Sequence, residues 1–188
     1  MTSSLNGLLG CLALLSLTPA CGWKCPTGSQ SGSCDLSNTA LDPGAQVTKL
    51  SLSSGCDYVP RTSCAGTPGF TCTLGGGEQH RFGYAVIGNQ QGWDKLSASW
   101  GTGCAPAGVP TSWTDTFVVL ATVSATESTD SSVTHTMHRQ ANGTPLVSLD
   151  FDMTYEQDCD CAAVAAVGLV IKSSAAPAVC LKVQSKCK

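Results

Sequence analysis

The fold is decided by residues 132–157, whose sequence is SVTHTMHRQANGTPLVSLDFDMTYEQ. Apolar residues occupy every second position from Val147 to Tyr155, with Ser, Asp and Thr between them. This period of two predicts a β-strand that has one buried and one solvated face. Asn142-Gly143 separates it from a preceding strand over 132–140, and this dipeptide favours a tight type I′ turn. We therefore predict a β-hairpin with Asn142 exposed at its tip, where Asn142-Gly143-Thr144 is also a glycosylation acceptor in a eukaryotic secretory host.

Further strands are predicted on both sides of this hairpin. Polar and apolar residues alternate over 46–53, 80–87, 95–100 and 179–186. Residues 115–126 carry apolar side chains at both odd and even positions, which predicts a central strand covered on both faces. The apolar run 162–171 fits either a buried strand or an alanine-rich helix, because length does not separate the two. Seven or eight short strands joined by glycine-rich turns predict an all-β fold, an antiparallel β-sandwich.

The 12 cysteines of this 188-residue chain indicate an oxidising compartment. None of them stands in the Cys-x-x-Cys pairs that zinc sites favour. Cys25 and Cys34 flank a Ser- and Gly-rich segment and are candidates for a small local loop. We predict a framework of disulfide bridges, with the pairing left open, that joins Cys25, Cys34, Cys56, Cys64, Cys72, Cys104, Cys159, Cys161, Cys180 and Cys187.

The N-terminus is typical of an exported protein. Residues 8–17 form an apolar run of signal-peptide length, and the small residues of 18–20 suit cleavage. The run is too short to cross a bilayer, which takes about 20 apolar residues. A basic segment before the run is missing, and the alternative is a buried N-terminal helix. We predict a signal peptide over 1–20, a flexible tether over 21–45 and a β-sandwich domain over 46–188.

Cys21 stands directly behind the predicted cleavage site and leaves an odd number of thiols in the mature chain. Residues 17–21 (LTPAC) resemble the lipobox of bacterial lipoproteins, in which the cysteine becomes the lipidated N-terminus. The leucine stands four rather than three places before Cys21, and cleavage after Gly22 is the alternative that also restores an even number. A lipid on Cys21 would be the chain's only membrane attachment.

The charge of the chain restricts its partners. Charged residues make up 12% of the sequence and the formal net charge is −3. Nucleic-acid binding normally needs a patch of Lys and Arg that neutralises phosphates. We therefore exclude nucleic acid and expect a glycan or a protein at a cell surface as the partner.

An acidic row follows the hairpin turn on even-numbered positions: Asp150, Asp152, Glu156, Asp158 and Asp160. On an extended strand these carboxylates share one face, where like charges repel unless something compensates them. The favoured interpretation is a solvated row that faces three lysines of the last strand: Lys182, Lys186 and Lys188. The alternative is calcium, which takes six to eight oxygen ligands, held by Asp150, Asp152 and Glu156.

Three tryptophans lie close together in the sequence. Trp100 shares the strand alternation and is predicted to be core, whereas Trp93 and Trp113 adjoin Gly, Pro and Ser and are predicted to be exposed. Sugar rings stack on aromatic side chains while amides and carboxylates bind their hydroxyls. We predict a ligand site in this loop formed by Trp93, Trp113, Asn89, Gln90, Gln91 and Asp94. The alternative is that the indoles plug the ends of the sandwich.

Catalytic signatures are scarce. The chain contains no Gly-x-Ser-x-Gly elbow, His-Glu-x-x-His helix or phosphate-binding glycine loop. His135 and His138 stand on a predicted strand, where a spacing of three sends them to opposite faces. We expect an exported, non-catalytic binding or surface module without a cofactor other than the calcium considered above. The alternatives are an extracellular hydrolase that uses the acidic row and a structural subunit of an extracellular layer or filament.

Overall fold

A computed structural model describes residues 30–31, 34–59, 70–76, 80–126, 128–156 and 162–188. These ranges contain ten strands and one helix. In chain order they are β1 Gln30–Ser31, β2 Thr39–Leu41, β3 Val47–Lys49, β4 Phe70–Gly76, β5 His80–Ile87, α1 Gln90–Ser97, β6 Thr116–Thr126, β7 Ser128–Gln140, β8 Pro145–Tyr155, β9 Ala162–Lys172 and β10 Ala178–Cys187.

The strands form two sheets, which confirms the predicted all-β sandwich. The first sheet has the order β1-β10-β8-β7-β2, and the second has the order β3-β9-β6-β5-β4. One pairing departs from the antiparallel prediction, because β10 runs parallel to β8. Parallel neighbours need a crossover connection. Here β9 provides it: the chain leaves β8, passes through the second sheet as β9 and returns to the first sheet in its original direction.

The β7–β8 hairpin is confirmed, with Val133 opposite Phe151. Its turn differs from the predicted type I′ form, in which Asn142 and Gly143 would both have positive φ. Only Gly143 does, at 84°, and its N–H donates to the carbonyl oxygen of Gln140 at 2.9 Å. This is the longer hairpin loop in which a type I turn is followed by a left-handed glycine. Asn142 is exposed at the tip, as predicted.

The main core lies between the two sheets. The alternation in β8 buries Leu149, Phe151 and Met153 on the side that faces the second sheet. Leu169 of β9 and Val119 of β6 meet them from the other sheet. The polar residues of β8 consequently lie on the outer face of the first sheet.

A second core covers the other face of the second sheet. Val118 and Leu120 of β6 are fully buried there, although Val119 and Ala121 already face the first sheet. The covering layer consists of α1 together with residues 50–59 and 98–113, and we call it the outer layer. The prediction that 115–126 is a central strand covered on both faces is therefore confirmed.

Disulfide bridges connect distant parts of the chain. Cys34 is bonded to Cys180 and Cys56 to Cys104, and Cys72 and Cys187 are also disulfide-bonded. The predicted local loop between Cys25 and Cys34 is wrong, because Cys34 takes a partner on β10 instead. The positions predicted as lipidated or bridged that lie outside the described residues are Cys21, Cys25, Cys64, Cys159 and Cys161.

The described part of the predicted tether is docked on the first sheet. β1 pairs with β10, and β2 pairs with the end of β7. The Arg139 guanidinium on β7 binds the Asp42 carboxylate at 2.6 Å. The segment 34–45 is therefore held against the first sheet and is not a flexible tether. The predicted signal peptide over 1–20 lies outside the described residues.

Three further predictions are settled by the structure. The run 162–171, left open between strand and helix, is strand β9. The predicted strand over 95–100 is wrong, because Lys95 lies in the last turn of α1 and residues 98–100 form a turn after it. The predicted strand over 46–53 is shortened to β3; Leu50 still donates its N–H to the carbonyl oxygen of Gly168 on β9, and its side chain packs into the outer layer.

Candidate functional site

The candidate site is built around α1. The side-chain oxygen of Asn89 accepts a hydrogen bond from the Gly92 N–H at 2.8 Å and caps the helix N-terminus. Trp93 and Leu96 are spaced by three and lie together on the buried face of the helix. The segment predicted as an amide-rich ligand loop is therefore the first turn of a short amphipathic helix.

Four aromatic side chains form a cluster between α1 and the second sheet. The ring centroids of Trp93 and Trp100 are 5.2 Å apart at an interplanar angle of 82°. Tyr58 and Trp100 are 5.4 Å apart at 74°, and Trp93 and Trp113 are 6.3 Å apart at 45°. Edge-to-face pairs of this kind contribute about 0.5–1.5 kcal/mol beyond their area burial. The cluster is consequently a rigid part of the outer layer.

Hydrogen bonds attach this cluster to the second sheet. The indole Nε1 of Trp100 donates to the carbonyl oxygen of Tyr58 at 3.0 Å. The Tyr58 N–H in turn donates to Oγ1 of Thr122, a buried residue of β6, at 3.1 Å. The Tyr58 hydroxyl accepts the N–H of Ser53 at 2.8 Å. These contacts fix the position and tilt of the Trp100 ring.

A pocket of about 350 Å³ opens beside the two perpendicular indoles, and we call it the tryptophan pocket. Its far wall is the irregular segment 101–109, which the Cys56–Cys104 bridge and a backbone pairing between Ser51 and Ala107 hold against the outer layer. The pocket is lined by Trp93, Ser97, Trp100, Gly101, Gly103, Ala105, Pro106 and Val109.

The polar groups of the pocket are few and uncharged. Among the described lining residues, Ser97 has the only polar side chain apart from the indoles, and its Oγ donates to the carbonyl oxygen of Asp94 at 3.0 Å. The carbonyl oxygens of Gly101 and Gly103 accept the N–H of Cys104 and the hydroxyl of Ser53. Within the part of the chain that the structure describes, no ionisable side chain lines the tryptophan pocket.

The structure separates the residues that were predicted to form one site. Trp93 is 7% exposed, so its predicted exposure is wrong, and it contributes a wall of the tryptophan pocket. Trp113 is half-buried and donates its indole N–H to Oε1 of Gln90 at 2.9 Å. Gln90 donates to Oδ1 of Asp94 at 2.6 Å, and Gln91 is exposed. These groups lie on the solvent side of α1.

The prediction for Trp100 is also wrong. It was predicted to be core, yet it is only partly buried and lines the tryptophan pocket. The spacing of Trp93, Leu96 and Trp100 fits one face of a helix, and Asn89 suits a helix cap. Those two signals together could have identified both the helix and its aromatic face.

The described part of the acidic row lies beside lysines, as the solvated interpretation predicts. Asp150 is directly opposite Lys182 in the parallel β8–β10 pair, and the Lys186 Nζ is 3.8 Å from Oδ1 of Asp152. Glu156 is exposed. Across the described ranges, no group of three His, Cys, Asp or Glu side chains is placed to hold a metal ion. Asp158 and Asp160 lie outside these ranges.

The two histidines of β7 diverge as predicted. His138 lies 3.4 Å from the Thr39 hydroxyl through its Nδ1. His135 is half-buried on the opposite face, where burial and the positive charge of Lys49 lower its pKa below the usual 6.5. They do not form a metal pair.

No protein-family model matches the chain, and no curated protein or solved structure matches it either. Its class is therefore defined by architecture and site: a disulfide-bridged β-sandwich with a tryptophan pocket in a layer outside its second sheet. Within the ranges that the structure covers, no helix has the length and hydropathy to span a bilayer.

Proposed function

We propose that the chain is an exported, non-catalytic binding module that holds a sugar residue of a glycan in the tryptophan pocket. The observation that carries the proposal is a pocket of about 350 Å³ walled by the indoles of Trp93 and Trp100. Small-molecule sites are typically concave, of about 300–1,000 Å³, and mainly aromatic or apolar with a few polar groups. The apolar face of a sugar ring matches an indole wall, and its hydroxyls match Ser97 and the backbone.

The rigidity of the site supports a binding role. Trp100 is held by its hydrogen bond to Tyr58, and the opposite wall is held by the Cys56–Cys104 bridge. A pocket that is ordered before the ligand arrives avoids the entropic cost of ordering side chains on binding.

The proposed location is outside the cell or at its surface, reached by secretion or through a lipid on Cys21. Disulfides such as Cys34–Cys180 persist in oxidising compartments. The apolar N-terminal run supports export. Intact-mass analysis of the natively exported protein tests cleavage after residue 20, lipid on Cys21 and glycan on Asn142 in one measurement.

A hydrolase that uses the acidic row is less well supported. Asp150 and Asp152 lie on the outer face of the first sheet, whereas the tryptophan pocket lies outside the second sheet. The carboxylates therefore do not reach a ligand held by Trp93 and Trp100. The neighbouring Lys182 and Lys186 also compensate the negative charge of these carboxylates, which explains the acidic row without a catalytic role.

Two arginine substitutions on the same segment test the proposal. Ala105 is exposed and lines the tryptophan pocket, so Ala105→Arg places a long side chain across its opening. Ala107 is exposed two positions further on and does not line the pocket, so Ala107→Arg is the matched control. The wild-type protein is first screened on immobilised glycans, and the retained glycan is then titrated into each variant.

We expect Ala105→Arg to weaken glycan binding by about tenfold or more, and Ala107→Arg to leave it unchanged. Both variants should unfold at the same urea concentration as the wild type, because both positions are exposed. Retention of the glycan by Ala105→Arg, or failure of the wild type to retain any glycan, would overturn the proposal.

A further inference from the structure

We infer that the tryptophan pocket selects uncharged sugar rings and rejects uronic and sialic acids, whose rings carry a carboxylate. The inference rests on the proposed function and specifies its ligand class. It follows from the chemistry of the lining and from the direction of the hydrogen bonds that the lining groups already make.

The first argument is the absence of a counter-charge. Among the residues that the structure describes, none that lines the pocket is ionisable. A carboxylate that enters an aromatic pocket loses its hydration, which costs several kcal/mol unless a cation or several donors replace it. The basic residue of α1 is Lys95, and it is not part of the lining. An uncharged ring does not incur this cost.

The second argument is that Ser97, Gly101 and Gly103 present hydrogen-bond acceptors to a ligand. The Ser97 hydroxyl uses its hydrogen on the carbonyl oxygen of Asp94, so its lone pairs are what it can offer to a ligand. The carbonyl oxygens of Gly101 and Gly103 each accept one internal hydrogen bond and retain a second lone pair. A sugar hydroxyl donates to such oxygens, whereas a carboxylate can only accept and is repelled.

The third argument is the sign of the charge nearest to Ser97. Asp94 precedes Ser97 by three positions on α1, which makes the two residues neighbours on the helix surface. The Asp94 carboxylate is exposed and receives a hydrogen bond from the uncharged Gln90 amide. It therefore adds negative potential at this side of the pocket and further disfavours an anionic ring.

Matched ligand pairs test the inference. Methyl glucoside and methyl galactoside are titrated into the wild-type protein beside methyl glucuronide and methyl galacturonide, which differ only in the carboxylate. We expect at least one neutral glycoside to bind about tenfold or more tightly than its uronide. The affinity for the neutral glycoside should not change when the salt concentration is raised, because no ion pair forms between ligand and protein.

The outcomes separate this inference from the proposed function. Equal or tighter binding of the uronide, blocked by Ala105→Arg, would overturn the selectivity and leave the glycan-binding function standing. Failure of every neutral glycoside and every uronide to bind would contradict both.

A charge-introducing variant provides a second test. Ser97→Lys adds a cation to the lining, and we expect it to shift the ratio of affinities toward the uronide by about tenfold. Gln91→Lys adds the same charge to an exposed position of α1 outside the lining and is the matched control. An equal shift in both variants would show that the net charge of the surface sets the ratio, and it would contradict a role for the lining.

Discussion

The indole N–H of Trp100 donates to the carbonyl oxygen of Tyr58 at 3.0 Å, across a sequence separation of 42 residues. Tyr58 is completely buried, and its N–H is bonded to Thr122 of β6. The Trp100 ring is therefore joined through one residue to the central strand of the second sheet. This chain of contacts converts an irregular segment of the outer layer into a fixed wall of the tryptophan pocket.

Replacement of Trp100 by Phe should weaken both stability and binding. The variant keeps an aromatic ring but leaves the carbonyl oxygen of the buried Tyr58 without its donor, which costs about 1–3 kcal/mol. Urea denaturation measures the loss. Trp113→Phe is the control, because the Trp113 indole donates only to the exposed Gln90 side chain. The role of the Trp100 bond would be contradicted if both variants lost the same stability.

The outer layer should behave as a true hydrophobic core. Leu120 is completely buried under it, although β6 already packs against the first sheet through Val119. Leu120→Ala should therefore lower the free energy of unfolding by about 2–5 kcal/mol. Leu41→Ala removes the same atoms from a side chain that is 68% exposed and should change stability by less than about 0.5 kcal/mol. Similar small effects at both positions would show that the outer layer does not seal the sheet.

The two defined disulfides should differ in their effect on binding. Replacing both cysteines of either pair with Ala should lower stability by about 2–4 kcal/mol. Loss of Cys56–Cys104 also releases the wall segment 101–109, so glycan binding should fall as well. Loss of Cys34–Cys180 acts on the opposite side of the molecule and should leave the affinity unchanged. Equal effects of the two removals on affinity in the folded proteins would contradict this assignment.

Acidification should destabilise the protein partly through His135. Burial and the charge of Lys49 lower the pKa of this imidazole in the folded state below 6.5. The unfolded chain then binds the proton more readily, so stability falls as the pH drops through about 6.5 toward the lowered value. The His135→Gln variant cannot take up this proton, so its melting temperature should fall less on acidification than that of the wild type. Lys49→Gln should give part of the same protection, and an unchanged acid response in His135→Gln would contradict the account.

The period of two in the sequence predicts most strands correctly because each strand has at least one buried face. The alternation from Val147 to Tyr155 and the two apolar parities of 115–126 both match the structure. The parallel pairing of β8 with β10 has no such local signal. It depends on the placement of β9 in the opposite sheet, which is a non-local property of the chain.

The tryptophan pocket was predictable only in part. Trp93 was singled out together with Trp113, whereas Trp100 was assigned to the core, because Leu96, Ala98 and Trp100 alternate in a way that fits a strand as well as a helix. The far wall, 101–109, has no periodicity, because a disulfide and single hydrogen bonds hold it rather than a repeating pattern. Its position beside Trp93 and Trp100 follows only from the folded structure.

The most direct test of glycan binding in the tryptophan pocket is a titration that follows the indole N–H signals of the four tryptophans by NMR. The uncharged glycoside that binds most tightly is added to the ¹⁵N-labelled wild-type protein. The signals of Trp93 and Trp100 should shift together and saturate at the same ligand concentration, while that of Trp113 should move less because it lies outside the lining. A saturating shift of Trp113 alone, or no indole shift despite binding, would contradict the account.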